Sequence, residues 1–266
     1  MTETSAVTLE VARGVAWLTL NRPERRNAVG PEMARALHDA ALRCADDPDV
    51  RCVVLTGAGP FFCVGGDVDL FARVGDRAEE TVGALARTFH AGVLRLATMA
   101  KPLVTAVNGP AAGAGLSLAI LGDIVLAARS AQFAVAYSAI GLTPDGGASW
   151  LLPRLVGLRR AQEMMLTNRR LGAEEAAAIG LATRTVPDDA LAAEARETAE
   201  ALARGAVGAL AACRRLLHDG AIAGLAGQLD AEAAAIAAAS GSAEGREGVA
   251  AFIGKRRPAF PGAPDA

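Results

Sequence analysis

Short segments rich in apolar residues recur along the first two thirds of the chain. Uninterrupted apolar runs of this length are typical of strands that are buried on both faces. The clearest run is Leu103–Val107, which ends abruptly at Asn108-Gly109-Pro110. The predicted strands are Val7–Val11, Val15–Leu20, Cys52–Thr56, Leu103–Val107, Ile124–Ala128, Phe133–Tyr137 and Leu181–Val186.

Between and after these strands, apolar residues spaced three and four positions apart predict helices. The longest is Thr81–Met99, in which Leu85, Phe89, Val93 and Leu96 share one face. The other predicted helices are Pro31–Cys44, Ala114–Ile120, Gly147–Leu155, Arg159–Leu166, Ala173–Ile179, Asp188–Ala203, Gly208–Leu217, Leu225–Ala239 and Ala243–Ile253. The alternation of strands and helices indicates an α/β fold.

The chain after Gly146 is almost wholly helical, and its last helices are rich in alanine. Because alanine supplies little apolar bulk, we expect these helices to pack against this domain or against a neighbouring subunit. The sequence therefore predicts a core over residues 1–205 and a C-terminal helical region over residues 206–266.

Composition and charge narrow the class of protein. With 52% hydrophobic and 21% charged residues, the 266-residue chain is expected to fold into a globular protein. The net charge is −2 and the longest basic run is Lys255-Arg256-Arg257, which disfavours a nucleic acid partner.

The cysteines and the apolar segments indicate a cellular location. Four scattered cysteines, without the spacing of a disulfide framework or of a zinc site, indicate a reducing compartment and no bound metal. No secretory signal is recognisable at the start of the sequence. Leu103–Ala128 is apolar, but Asn108, Pro110 and Asp123 argue against a membrane-spanning helix. We expect a soluble cytoplasmic protein with no membrane partner.

Two glycine-rich turns follow predicted buried strands, at Gly65-Gly66-Asp67 and at Gly113-Ala114-Gly115. Turns at the carboxyl ends of strands in one sheet lie where α/β proteins bind ligands. Two such turns can each aim one backbone amide at a single carbonyl oxygen, which is the geometry of an oxyanion hole. The alternative is that the small residues only let strand and helix pack closely. Neither turn has the pattern of a phosphate-binding or dinucleotide-binding loop.

Asp145, in the segment Thr143–Gly147, has two interpretations. It can cap the helix predicted to begin near Gly147, or it can act as a general base on a loop. The three histidines, at positions 38, 90 and 218, lie within helical patterns and are expected at the surface or at an interface. Cys63 is expected to be a small buried residue.

Several motifs together resemble the enoyl-CoA hydratase/isomerase (crotonase) superfamily over nearly the whole chain. They are Leu20–Pro23 with Arg26–Ala28, Phe62–Asp67, Val107–Gly109 through Gly115–Leu118, Ala131–Phe133, Gly141–Gly147, Leu152–Arg154, Arg246–Val249, Phe252 and Lys255-Arg256. The segment around Gly141–Gly147 and the C-terminal end look most like the ring-1,2-epoxyphenylacetyl-CoA isomerase branch.

The resemblance implies a ββα spiral core with a C-terminal helical trimerisation region. It also implies an acyl-CoA thioester substrate, no separate cofactor because coenzyme A is part of the substrate, and a homotrimer or a dimer of trimers. In this family the amides of Gly66 and Ala114 would hold the thioester oxygen. The residues implied to contact CoA or substrate are Arg26, Ala28, Val64, Asp67, Val68, Ser117, Tyr137, Phe252 and Lys255, the last two from the chain end or a neighbouring subunit.

The sequence departs from the hydratases of this family at two positions. Their two water-handling glutamates align with Ser117 and Tyr137, and neither side chain can replace a carboxylate as a base at neutral pH. Asp145 aligns with the single acidic residue of the family's isomerases. The favoured interpretation is therefore an isomerase with Asp145 as its acid/base. The alternatives are a hydratase or another crotonase-type reaction with an unidentified base, and a catalytically silent acyl-CoA-binding subunit.

Overall fold

A computed structural model describes residues 5–264. Its strands are β1 (Val7–Ala12), β2 (Val15–Leu20), β3 (Cys52–Gly57), β4 (Leu103–Val107), β5 (Ala111–Ala112), β6 (Ile124–Ala128), β7 (Gln132–Ala134), β8 (Arg170–Gly172) and β9 (Arg184–Val186). Its helices are α1 (Pro31–Asp46), α2 (Val68–Val74), α3 (Ala78–Thr98), α4 (Ala114–Ala119), α5 (Ala148–Val156), α6 (Leu158–Thr167), α7 (Ala173–Ala178), α8 (Leu191–Ala203), α9 (Val207–Gly220), α10 (Leu225–Gly241) and α11 (Ala243–Ile253).

The main sheet has six strands in the order β1-β2-β3-β4-β6-β9. Strands β1 and β2 form an antiparallel hairpin, and all the later neighbours in this sheet pair in parallel. Parallel strands are normally covered on both faces, and every residue of β4 is buried. A second sheet of three short strands has the order β5-β7-β8. The α/β architecture predicted from the sequence is confirmed.

The predicted elements are present, with shifts of a few residues at their ends, but the prediction missed the short strands β5 and β8 and was wrong in two further details. Helix α2 was not predicted; it begins where the Asp67 carboxylate accepts a hydrogen bond from the Leu70 amide at 3.1 Å. The strand expected over Phe133–Tyr137 ends at Ala134. Ala136 has a φ of 59°, a left-handed conformation that turns the chain out of the sheet.

Helices α9, α10 and α11 leave most of their surface uncovered. Ala251 is the one buried residue of these three helices, whereas Leu217 and Ile236 are 79% and 70% exposed. The predicted division into residues 1–205 and 206–266 stays a prediction. Within residues 5–264, no helix has the length and apolar character needed to cross a membrane.

Two asparagines hold the loop that follows β3. The side-chain amide of Asn27, which is fully buried, donates to three carbonyls of residues 58–62 at 2.9 to 3.1 Å. The side chain of Asn108 accepts from the Gly57 amide at 3.0 Å and donates to the Gly59 carbonyl at 2.8 Å. The backbone polar groups of this irregular loop are thereby satisfied by side chains rather than by a sheet partner.

Because β3 and β4 are parallel neighbours, the loops that follow them leave the same edge of the sheet. They pair through two hydrogen bonds, from the Cys63 amide to the Pro110 carbonyl at 3.2 Å and from the Ala112 amide to the Cys63 carbonyl at 2.9 Å. A Cβ atom at Gly115 would overlap the carbonyl oxygen of Cys63, so this approach requires glycine.

We predict that Gly115→Ala lowers the free energy of unfolding by about 3 kcal/mol, because the added methyl group forces the two loops apart. Gly227→Ala is the control, since Gly227 lies inside α10 with no atom within 4 Å of the added Cβ. Chemical denaturation of both variants measures the difference. A Gly115→Ala protein as stable as the control would contradict the prediction.

Candidate active site

The two glycine-rich turns meet at their backbones. Gly65 has a φ of 107° and Gly113 a φ of 54°, both in the left-handed region that favours glycine. A Cβ at Gly65 would lie 3.0 Å from the Ala112 carbonyl oxygen, so the turns leave no room for side chains between them. The tertiary structure thus places the turns side by side at the carboxyl ends of parallel strands, as the sequence predicted.

Each turn contributes one of the two predicted amide-bearing residues to the lining of the same cavity. Gly66 and Ala114 both line it, and Ala114 is the first residue of α4, where amides lack an intrahelical acceptor. Within residues 5–264 neither of these two amide nitrogens has a hydrogen-bond acceptor. Two unpaired donors beside one cavity can stabilise a developing negative charge on an oxygen.

The cavity has a volume of about 380 Å³ and is mainly apolar. Its side chains include Phe71, Val82, Leu85, Phe89, Ile140 and Leu142. Asp145 is the one carboxylate among its described lining residues, and Tyr137 is the other ionisable group there. The arrangement is suited to an uncharged group held between a single carboxylate and the two free amides.

The carboxylate of Asp145 does not cap a helix. Gly147 is the N-cap of α5, and the contribution of Asp145 there is its backbone carbonyl, which accepts from the Ala148 amide at 3.2 Å. Its side chain points elsewhere: Oδ1 accepts a hydrogen bond from the Tyr137 hydroxyl at 2.6 Å, and Oδ2 lies 3.2 Å from Nε2 of His90. The capping interpretation of the side chain is therefore wrong.

Tyr137 lines the cavity as a neutral hydrogen-bond donor. Burial raises the pKa of its hydroxyl well above the usual range, and the negative charge of Asp145 raises that pKa further. Tyr137 therefore holds the Asp145 carboxylate from one side and does not itself serve as a base.

Ser117 lies behind the cavity wall and is fully buried. Its hydroxyl donates to the backbone carbonyl of Asp145 at 2.9 Å, and a Cβ at Gly146 would lie 2.9 Å from the Cβ of Ser117. This differs from the expectation that Ser117 contacts substrate, because the Asp145 loop covers it. Its contact instead fixes the backbone that carries Asp145.

Sequence reasoning did not identify His90 as part of the site. It lies on α3, 55 residues before Asp145, and no local spacing connects the two positions. His90 was expected at the surface, and its side chain is indeed 47% exposed. Its Nε2, however, faces the Asp145 carboxylate. The only available signal was that His90 directly follows Phe89, which lies on the buried face of α3.

A second cleft, of about 650 Å³, adjoins the cavity and shares Val64, Gly66 and Val68 with it. Six of the residues expected to contact ligand line this cleft: Arg26, Ala28, Val64, Gly66, Asp67 and Val68. Arg25 and Arg73 also line it, together with the acidic residues Glu24 and Asp69, so its wall carries charges of both signs. Arg25 lies 3.5 Å from the Asp67 carboxylate that caps α2.

The chain does not bring Phe252 and Lys255 to this site. Phe252 is 86% exposed at the end of α11, Lys255 follows it, and neither lines the cavity or the cleft. Their contact with ligand from a neighbouring subunit stays a prediction. Cys63 is buried as expected, and burial raises the pKa of its thiol to about 12, which makes it a poor nucleophile.

Comparison with known proteins identifies relatives over nearly the whole chain. The sequence model of the enoyl-CoA hydratase/isomerase family matches residues 10–263. A protein of Escherichia coli K12 named 1,2-epoxyphenylacetyl-CoA isomerase is 41% identical over 259 residues, which cover 95% of this chain and 97% of that protein. A probable enoyl-CoA hydratase of Rhodobacter capsulatus is also 41% identical, over 95% of this chain and 96% of its own.

The fold agrees as well. The crystal structure of an enoyl-CoA hydratase from Polaromonas sp. JS666 superimposes with a TM-score of 0.91 at 35% identity, covering 95% of this chain and 98% of that one. The crotonase fold implied by the sequence motifs is confirmed. By sequence match and by fold, this chain belongs to the enoyl-CoA hydratase/isomerase family.

Proposed function

We propose that this protein is an acyl-CoA isomerase that moves a double bond, or rearranges a ring epoxide, through an enolate. The observation that carries the proposal is the single carboxylate, Asp145, in an apolar cavity beside the unpaired amides of Gly66 and Ala114. One base and one oxyanion site are sufficient for removing a proton and returning it elsewhere.

In the proposed reaction, the thioester carbonyl oxygen lies between the amides of Gly66 and Ala114. Asp145 takes a proton from the acyl chain, and the electron pair of that C–H bond moves into the thioester, leaving negative charge on its oxygen. The two amides stabilise this enolate because they are already oriented and lack other acceptors. Return of the proton at a different carbon completes the double-bond shift.

The adjoining cleft is the proposed site for the CoA portion of the substrate. Arg25, Arg26 and Arg73 border it, and guanidinium groups bind phosphate oxygens through paired hydrogen bonds. Because the cleft and the cavity share Val64, Gly66 and Val68, a thioester could extend from one into the other. The apolar cavity favours an uncharged acyl group.

The second candidate is addition of water, or another crotonase-type reaction, with Asp145 and His90 acting as a pair. It is favoured by the contact of 3.2 Å between them, because the half-exposed ring of His90 can exchange a proton with the carboxylate that lines the cavity. One of the two relatives is named an isomerase and the other a probable hydratase, so their names correspond to the two candidate functions. Formation of 3-hydroxyacyl-CoA from crotonyl-CoA would favour this candidate.

We also propose that the chain assembles as a homotrimer or as a dimer of trimers. The support is the uncovered apolar surface of α9–α11, which includes Leu217, Leu225 and Ile236 at 79%, 75% and 70% exposure. Such a surface is typical of a subunit interface.

We predict that Asp145→Asn lowers the rate of conversion of a β,γ-enoyl-CoA to its conjugated isomer by about 10²- to 10⁴-fold, because the base is lost. Binding of the acyl-CoA should be nearly unchanged, since the amide retains the hydrogen bond from Tyr137. Asp49→Asn, at an exposed position away from the site, is the control. Full activity of Asp145→Asn would exclude Asp145 as the base. If the wild-type protein binds the acyl-CoA but does not isomerise it, the chain is a silent acyl-CoA-binding subunit.

Tyr137 is the only tyrosine of the chain, so tyrosinate absorbance reports this residue alone. Because the pKa of Tyr137 is raised, we expect no tyrosinate in the folded protein at about pH 11, where an ordinary tyrosine is mostly ionised. The stability that this neutral hydroxyl contributes is fully present below about pH 10 and is lost as the pH rises further. In Asp145→Asn the hydroxyl should ionise at lower pH. A midpoint of tyrosinate formation near pH 10 in the folded wild-type protein would contradict the contact between Tyr137 and Asp145.

Light scattering of the purified protein should give a mass of about three or six times the 27.0 kDa of one chain. Repeating the measurement over a range of protein concentrations separates a stable assembly from weak association. A monomer throughout that range would refute the proposed assembly.

A further inference from the structure

His90 faces two groups with opposite requirements. Its Nε2 lies 3.0 Å from the amide nitrogen of Gly146, which donates to it, and 3.2 Å from Oδ2 of Asp145. One ring nitrogen cannot accept from Gly146 and donate to Asp145 at the same time. Nε2 can therefore accept from the Gly146 amide with its lone pair or donate to Oδ2 of Asp145 with its hydrogen, but not both at once.

The ring of His90 also reaches solvent. Its side chain is 47% exposed, against 30% for Asp145, and His90 is not part of the cavity lining although Asp145 is. Within the described residues, Nδ1 of His90 has no hydrogen-bond partner, so the ring is held through Nε2 alone. His90 thus contacts Asp145 from outside the cavity lining, and its ring reaches solvent.

The other faces of the carboxylate are occupied. Oδ1 is covered by the Tyr137 hydroxyl at 2.6 Å, and the high pKa of that hydroxyl keeps its proton in place. An acyl group in the cavity would cover the side that faces the substrate. With an acyl group over the cavity side, the contact of Oδ2 with the half-exposed ring of His90 gives the carboxylate a path to water.

We propose that His90 carries protons between Asp145 and solvent, so that the proton taken from the substrate is exchanged with water before a proton is returned. This inference rests on the proposed function, because it concerns the proton that Asp145 removes. His90 acts through Asp145 and is a positioning and proton-carrying residue rather than one that touches substrate.

The transfer balances without any other reactant. Asp145, protonated by the substrate, gives its proton to Nε2 of His90 and becomes a carboxylate beside an imidazolium. Rotation of the exposed ring lets Nε2 release that proton to water, and a solvent proton taken up at Nε2 returns to Oδ2 by the reverse path. The net change is the exchange of one proton of the Asp145 carboxyl for one proton of water.

His90→Gln separates this role from a structural one. The glutamine amide can donate to Asp145 while its oxygen accepts from Gly146, so both contacts of the ring can be kept, but an amide does not carry protons at neutral pH. His218→Gln is a matched control, because His218 is 43% exposed and its Nδ1 lies 3.5 Å from Asp219, on α9 and outside both cavities.

The test uses the full-length protein and a β,γ-enoyl-CoA in deuterated water. Mass spectrometry at partial conversion gives the deuterium incorporated per turnover. We expect His90→Gln to lower this ratio about tenfold while the isomerisation rate falls much less, since Asp145 can still return the proton that it removed. His218→Gln should leave both quantities unchanged. In His90→Ala, added imidazole should restore the ratio by diffusing into the vacated space.

The outcomes are distinct. If wild type converts the substrate but His90→Gln incorporates as much deuterium per turnover as wild type, the proton-carrying role is refuted and the isomerase function stands. If His90→Ala shows a low ratio that imidazole does not raise, the effect is structural and the role is likewise refuted. If wild type neither isomerises the substrate nor exchanges its α-protons, the proposed function itself fails.

Discussion

The site depends on the direct backbone contact between the loops that follow β3 and β4. The Cys63 carbonyl accepts a hydrogen bond from the Ala112 amide, and Gly115 passes so close to the same carbonyl that no Cβ fits. This contact brings the amides of Gly66 and Ala114 to one cavity. The neighbouring amides of Asp67 and Gly113 donate to the carbonyls of Val29 and Ala134, whereas the amides of Gly66 and Ala114 have no acceptor among residues 5–264. The proposed oxyanion site therefore consists of backbone amides.

Such a contact is stable only because the rest of the fold satisfies the loops. Asn27 and Asn108 supply donors to the carbonyls of residues 58–62, which no strand pairs with. The parallel register of β3 against β4 fixes the distance between the loop origins. Irregular loops that are tied in this way can hold amides rigidly, and rigidity is what makes a donor effective when charge develops on a substrate oxygen.

The surroundings of Asp145 indicate how a single carboxylate is held for proton transfer. Tyr137 and Ser117 occupy the positions at which the family resemblance implies glutamates in hydratases. Both donate hydrogen bonds to Asp145, Tyr137 to its carboxylate and Ser117 to its backbone carbonyl. No second carboxylate remains in the described cavity wall to activate water. His90 adds a group that can exchange protons and that lies at the solvent side of the carboxylate.

Local patterns were sufficient for most of the fold. Apolar runs such as Leu103–Val107 and the helical spacing of Leu85, Phe89, Val93 and Leu96 follow directly from backbone periodicity, and these elements appear as predicted. The two turns were also recognisable, because glycine at a left-handed φ is a local requirement.

The sequence alone could not decide the role of Asp145 or find His90. A carboxylate near the first residue of a helix can cap that helix or face a cavity, and distant side chains decide between the two. Here one of those side chains is His90, which lies 55 residues away in the chain. Only the packing of α3 against the Asp145 loop, a contact between segments far apart in the chain, determined that choice.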